Sequence, residues 1–176
     1  MKKIIVYVPL AVDFLHEGHI NILRIAKKYG DVIVGLLTDE AIANYKSIPI
    51  LDYKNRKLLV ENLKYVSKVV PQKTEDYSYN LNKIKPNFFV HGDDWKYDNR
   101  KKTRAKVIKT LKKWSGKLIE PKYTKNISSF KIKNKILELA SLPENRVSRL
   151  KRLLSSKKIV RILESHNSLT GLIIEN

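Results

Sequence analysis

A chain of 176 residues that is 43% hydrophobic can bury the core of one domain plus an appendage, and without cysteine it has neither a disulfide framework nor thiol chemistry. No apolar run approaches the ~18 residues of a membrane-spanning helix and nothing at the N-terminus resembles a signal peptide, so a cytoplasmic protein without membrane contact is expected. The formal charge of +19 is concentrated late: residues 1–95 carry 14 Lys and Arg against 11 Asp and Glu, whereas residues 96–158 carry 21 against 4.

The first apolar run, Lys3 to Val8, reads as a strand, and the amphipathic segment 20–29 beyond it reads as a helix. Between them lies His16-Glu17-Gly18-His19. A second run, Asp31 to Leu37, gives a strand that ends at Thr38-Asp39, and Asp52 is placed to cap a helix over 53–66 that Arg56 opens. Further strands are expected at Lys68-Val69-Val70, Phe88-Phe89-Val90 and Lys117-Leu118-Ile119, with helical periodicity at 78–85 and 101–115. Ser128 and Ser129 precede a helix from Phe130 to Leu139. Residues 141–146 are the expected linker between a domain of residues 1–140 and a further segment, 147–176.

Continuous apolar strands alternating with helices imply an α/β fold: a five-stranded parallel sheet with helices on both faces. Such sheets bind ligands beyond the carboxyl ends of their strands. His16, Thr38, Gly92-Asp93-Asp94 and Ser128-Ser129 all fall at those ends. The basic second half suits polyanions in general, but its sparse aromatic residues make no stacking platform, so solvated lysine-rich helix faces are expected in preference to a nucleic-acid surface.

A strand-to-helix junction presents backbone N–H groups and the positive end of the helix dipole to an anion. Two imidazoles there add donors for a triphosphate and for the charge that develops as it is attacked. The competing reading of both histidines is a helix cap. Gly18 either lets the backbone approach phosphate or serves as a simple turn. Ser128 and Ser129 can cap the following helix and bind a terminal phosphate in one arrangement. Gly92-Asp93-Asp94 reads as a turn, or as carboxylates that accept from a base amino group or help hold a divalent ion.

The ordered motifs Asp13-Phe14-Leu15-His16-Glu17-Gly18-His19, Thr38-Asp39-Glu40, Tyr53-Lys54-Asn55-Arg56-Lys57, Gly92-Asp93-Asp94-Trp95 and Ile127-Ser128-Ser129 resemble the glycerol-3-phosphate cytidylyltransferase-like branch of the H-x-G-H nucleotidyltransferases. The resemblance implies a Rossmann-like domain that joins the nucleotide of CTP to a phosphoryl acceptor and releases pyrophosphate, with magnesium arriving on the triphosphate. It implies catalytic roles for His16, His19, Lys46 and Arg56, and nucleotide contacts at Asp13, Gly18, Gly92, Asp93, Asp94, Trp95, Ile127, Ser128 and Ser129. The family motif before the serines begins with arginine and continues Thr-x-Gly-Ile-Ser. This chain has Tyr123-Thr124-Lys125-Asn126-Ile127-Ser128, and Lys125 is the expected substitute for the missing guanidinium. No cage of metal ligands is read from the sequence. The resemblance is also compatible with a homodimer.

Where the glycerol-phosphate enzymes have Gly-Thr-Phe-Asp, this chain has Leu10-Ala11-Val12-Asp13, closer to the cytidylyltransferase domains fused to phosphoenolpyruvate mutase. Residues 147–176, with Glu164-Ser165-His166-Asn167-Ser168-Leu169, resemble the opening helix and first barrel strand of that mutase. A (β/α)₈ barrel needs roughly 200 residues or more, so this segment is expected to be the truncated start of a mutase domain, or the trace of a mutase subunit. The expected acceptor is therefore a small phosphonate such as 2-hydroxyethylphosphonate. The alternatives are glycerol-3-phosphate, giving CDP-glycerol, and, from another class, a non-catalytic nucleotide- or RNA-binding module.

Overall fold

The computed structural model describes residues 3–44, 49–96, 100–124, 127–140 and 147. Lys46, Lys125, the linker at 141–146 and the mutase-like segment beyond Val147 lie outside the described residues. Five apolar runs form β1 (Ile5–Leu10), β2 (Asp31–Leu37), β3 (Lys68–Gln72), β4 (Phe88–Val90) and β5 (Lys117–Ile119). They pair in parallel in the order β3-β2-β1-β4-β5. The order reverses at β1, which leaves a crevice between the carboxyl ends of β1 and β4.

Alternation along the strands explains why helices cover both faces. Val6, Val8 and Leu10 of β1 and Val32, Val34 and Leu36 of β2 meet Leu23 and Ala26 of α1 (Glu17–Lys27) and Val60 of α3 (Tyr53–Glu61) in one buried cluster. Tyr7 and Phe89 enter the opposite cluster, with Leu81 of α4 (Ser78–Ile84) and Val107 and Leu111 of α5 (Lys101–Leu111). Each buried Val, Leu and Phe among them contributes ~1.5–3 kcal/mol relative to exposure. Two helices complete the chain order: α2 (Asp39–Ala43), capped by the Thr38 hydroxyl, and α6 (Ser129–Ala140). The chain divides into two compact units, Met1–Ile132 and Lys133–Asn176.

The expected strand boundaries at β2, β4 and β5 hold, and Asp52 caps α3 by accepting from Asn55 N–H at 2.8 Å. Several expectations are corrected. The periodic stretch 53–66 leaves the helix at Glu61, where Asn62 turns the chain and Leu63, Tyr65 and Val66 pack on the core from a turn. The stretch 101–115 likewise ends as a helix at Leu111 and closes in a 3₁₀ turn, Lys112–Trp114, before Ser115 at φ 61°. α1 starts three residues before the expected Ile20 because His16 caps it. β3 runs on through Pro71, which an edge strand tolerates.

One buried polar network fixes the end of β3. The Tyr7 hydroxyl donates to Gln72 Oε1 at 2.6 Å and accepts from Asn80 Nδ2 at 3.0 Å. Gln72 Nε2 in turn donates to the carbonyls of Thr74 and Asp76, at 2.7 and 3.2 Å. Gly35 makes room for this arrangement, since a Cβ there would stand 1.8 Å from the Tyr7 hydroxyl oxygen.

Candidate active site

β1 ends at Leu10, and the chain turns at the buried Val12, whose φ of 54° is a left-handed conformation that a β-branched residue rarely adopts. Extended backbone at His16 then begins α1. A helix start leaves N–H groups without partners, and two imidazoles meet them here. His16 Nδ1 accepts from Gly18 N–H at 3.2 Å, and His19 Nδ1 accepts from His16 N–H at 3.4 Å. A ring nitrogen that accepts carries no proton, so each neutral ring holds its proton on Nε2. Burial pushes the His16 pKa below the ordinary histidine value, which keeps that ring neutral near pH 7. Cap and chemistry are therefore compatible: Nδ1 closes the helix and Nε2 is a donor. Gly18 suits the ring above it: a Cβ there would lie 3.0 Å from His16 Cε1 and Nδ1, and the ring would have to give by a few tenths of an ångström.

Across from the histidines, Ser128 Oγ accepts from Lys131 N–H at 3.2 Å and so caps α6. The Ser129 hydroxyl donates to the Phe14 carbonyl at 3.2 Å, which fastens the start of α6 to the loop that carries His16. Asn21 of α1 donates to the Thr124 hydroxyl at 3.4 Å, joining the same two segments. Two helix N-termini thus open on one cleft of about 220 Å³, whose wall includes His16, Gly18, His19, Ser128 and Ser129.

The β4 and β5 loops form the next wall. Gly92 and Asp94 line the cleft, and Asp94 accepts from Arg100 at 2.6 Å. His91, also on the wall, donates from Nδ1 to the Gly92 carbonyl at 2.8 Å, and its ring stacks on Trp95 at 4.0 Å. Burial lowers the His91 pKa as well. Beneath them Trp95 Nε1 donates to Glu120 Oε1 at 2.7 Å, and Arg104 grips both Glu120 oxygens at 2.8 and 2.9 Å. The Arg104 guanidinium, with the Trp95 and Lys96 donors, holds the Glu120 carboxyl at about 2.

Not every residue expected at the site reaches it. Arg56 is fully buried and donates to the Leu51 carbonyl at 3.0 Å, to the Ala11 carbonyl and to Asp39. It braces the histidine loop against α2 and α3 and does not line the cleft. Trp95 is likewise fully buried, supporting His91 from below. Asp13 accepts from Ile50 N–H at 2.7 Å, and Asp93 accepts from Tyr123 N–H at 2.8 Å, so both carboxylates hold loops. Ile127 is half-buried and outside the wall.

The wall also contains residues the motifs did not single out: His91, Arg100, Tyr123, Glu75 and Tyr77. Among them, His91 adjoins Gly92 and Tyr123 heads the motif before the serines, where the family has arginine; the other three carried no sequence signal. Among the described residues no group of three His, Cys, Asp or Glu can hold a metal, and no helix is long and apolar enough to cross a membrane.

Residues 12–135 match the model of the cytidylyltransferase-like family. The chain belongs to that family. Its cytidylyltransferase-like region is similar to the glycerol-3-phosphate cytidylyltransferase of Bacillus subtilis (strain 168), at 38% identity over 97 residues that cover 54% of this chain and 74% of the relative. The ethanolamine-phosphate cytidylyltransferase of Dictyostelium discoideum is 34% identical over 141 residues, 77% of this chain and 37% of the relative. Among solved structures, the lipopolysaccharide core biosynthesis protein from Thermoplasma volcanium GSS1 superposes with a TM-score of 0.61 at 27% identity, over 70% of this chain and 99% of that one. This cytidylyltransferase-like protein is therefore a nucleotidyltransferase enzyme with a Rossmann-like sheet.

Proposed function

We propose that the protein transfers CMP from CTP to a small phosphonate, giving a CMP-phosphonate and pyrophosphate. One observation carries the transferase chemistry: the His16–His19 cap and the Ser128–Ser129 cap share a single cleft at the carboxyl ends of the strands. A phosphonate dianion needs no general base. One of its oxygens attacks the α-phosphorus, the bond from that phosphorus to the α–β bridging oxygen breaks, and pyrophosphate leaves with the electron pair. Catalysis then depends on positioning and on stabilising charge.

His16 and His19 donate from Nε2 to oxygens of the reacting phosphates, strongest as negative charge grows on them. The N-termini of α1 and α6, with the Ser128 hydroxyl, hold the remaining phosphates. Gly92 and Asp94 take the base end, with an Asp94 carboxylate oxygen accepting from the cytosine amino group. Lys46 and Lys125 are proposed as further phosphate contacts. A magnesium ion carried on triphosphate oxygens would offset their charge.

The phosphonate reading is supported by Leu10-Ala11-Val12-Asp13, two residues of which line the cleft, and by the mutase-like sequence at 147–176. Glycerol-3-phosphate is the second reading, favoured by the name of the Bacillus subtilis relative. Pyrophosphate release from CTP, measured with 2-hydroxyethylphosphonate and with glycerol-3-phosphate, tests the choice. Faster turnover of the phosphonate is expected; preference for glycerol-3-phosphate overturns the acceptor, and no release with any phosphoryl acceptor overturns the transferase.

A further inference from the structure

We infer that His91 selects the nucleobase: its Nε2 and Asp94 Oδ1 form a pair of acceptors that takes both hydrogens of the cytosine amino group and turns away uracil, which carries an oxygen there. The inference rests on the transferase reading above and deepens its base end. A carbonyl oxygen can only accept, so the 2.8 Å contact with Gly92 places the His91 proton on Nδ1. Burial, with the Arg100 charge, lowers the His91 pKa against the opposing pull of the Gly92 bond, Asp94 and Glu120, so the ring is neutral near pH 7. Nε2 is then a bare acceptor. It makes no hydrogen bond to the described residues and is not sealed from solvent, and the ring that carries it lines the cleft.

This reverses the arrangement at the other two cleft histidines. His16 and His19 accept through Nδ1 and keep their protons on Nε2, which suits phosphate. His91 offers a lone pair instead, and a phosphate oxygen gains nothing from a lone pair. Its match is a neutral donor, such as a base amino group. Beside it, Asp94 gives one carboxylate oxygen, Oδ2, to Arg100 at 2.6 Å, while Oδ1 lies 3.8 Å from His91 Nδ1 and takes no hydrogen bond from the described residues. Gly92 keeps Oδ1 approachable, since a Cβ there would stand 2.9 Å from it. Two neighbouring acceptors answer an amino group with two hydrogens; a carbonyl oxygen in its place leaves three acceptors facing one another. The ring is also fixed from behind. It stacks on Trp95 at 4.0 Å and 14°, and Trp95 Nε1 is bonded to Glu120, which Arg104 grips with two donors.

The test compares CTP with UTP, which share sugar and phosphates and differ in the edge of the base, by pyrophosphate release with the full chain and whichever of 2-hydroxyethylphosphonate and glycerol-3-phosphate turns over. Wild-type kcat/KM is expected to favour CTP by ~10²-fold or more, because acceptors left facing an oxygen penalise the wrong base. His91→Phe, which keeps a ring on Trp95 and removes the acceptor, is expected to cut that preference by ~10-fold. His91→Leu makes the same removal with a smaller side chain and is expected to do likewise. Equal kcat/KM for the two nucleotides with the wild-type chain overturns the base reading and leaves the transferase standing. So does an unchanged preference in the variants, or a uniform loss with both nucleotides, which would make His91 structural only. Release from neither nucleotide overturns the transferase reading itself, and this inference with it.

Discussion

The imidazole rings of His16 and His19 lie 3.9 Å apart, centroid to centroid, each closing the start of α1 through its own Nδ1. Structure and chemistry at His16 can therefore be separated by substitution. His16→Ala is expected to cost ~1 kcal/mol of stability through the lost cap and ~10²-fold or more in kcat through the lost donor. His16→Asn keeps a capping oxygen and no Nε2. It is expected to restore the unfolding midpoint but not the rate of pyrophosphate release. Recovery of both would make the histidine structural only.

Glu120 titrates at about 2 in the folded chain against an ordinary value of 4.5. The folded state binds fewer protons across that interval, so the stability Glu120 confers is full above pH 4.5 and disappears as pH falls toward 2. Urea midpoints measured between pH 5 and 2 should drop for the wild type and change less for Glu120→Gln. His16 has the same sign, because its pKa is also lowered: its contribution is present above 6.5 and declines on acidification below that value.

Arg56 spends its donors on three separate segments, at Ala11, Asp39 and Leu51. Lysine cannot reproduce that fork. Arg56→Lys is expected to lose about 2–3 kcal/mol, as charge-assisted hydrogen bonds vanish from a buried position. Equilibrium unfolding reads this directly. A change in nucleotide affinity with unaltered stability would return Arg56 to the list of ligands.

Gly35→Ala drives a methyl group into the Tyr7 hydroxyl, at a built distance of 1.8 Å. Tyr7 is anchored to Gln72 and Asn80 and has nowhere to retreat. A loss of ~3 kcal/mol or more is expected from this overpacking, visible as a lowered melting temperature.

The residues proposed to bind substrate, Lys125 included, all fall within the unit Met1–Ile132. Removing residues 146–176 is thus expected to leave CTP turnover intact in the pyrophosphate assay. A collapse of activity would assign part of that segment to the transferase.

Much of the frame was legible because burial on both faces leaves strands as unbroken apolar runs, so Phe88–Val90 and Lys117–Ile119 emerge with their bounds. The bounds of the five-residue α2 were not legible, since so short a helix shows little periodicity. Motif reading picked out His16, Gly18, His19, Ser128 and Ser129, which line one cleft, because helix starts carry local sequence signals. It misplaced Arg56 and Trp95: a sequence gives a residue's chemistry but not which acceptors are already satisfied, and both side chains are consumed inside the fold. Glu75 escaped notice for the converse reason, as nothing in its local pattern says that it lines the cleft.

Holding Val12 at φ 54° costs on the order of 1–3 kcal/mol, and the adjoining Ala11 carbonyl is pinned by Arg56. The connection between β1 and α1 is thus a tensioned spring, bent by what surrounds it. Transplanted alone onto another scaffold, the decapeptide Leu10–His19 would relax and its two rings would part. The pocket is a property of the whole sheet, and cannot be carried away in the motif.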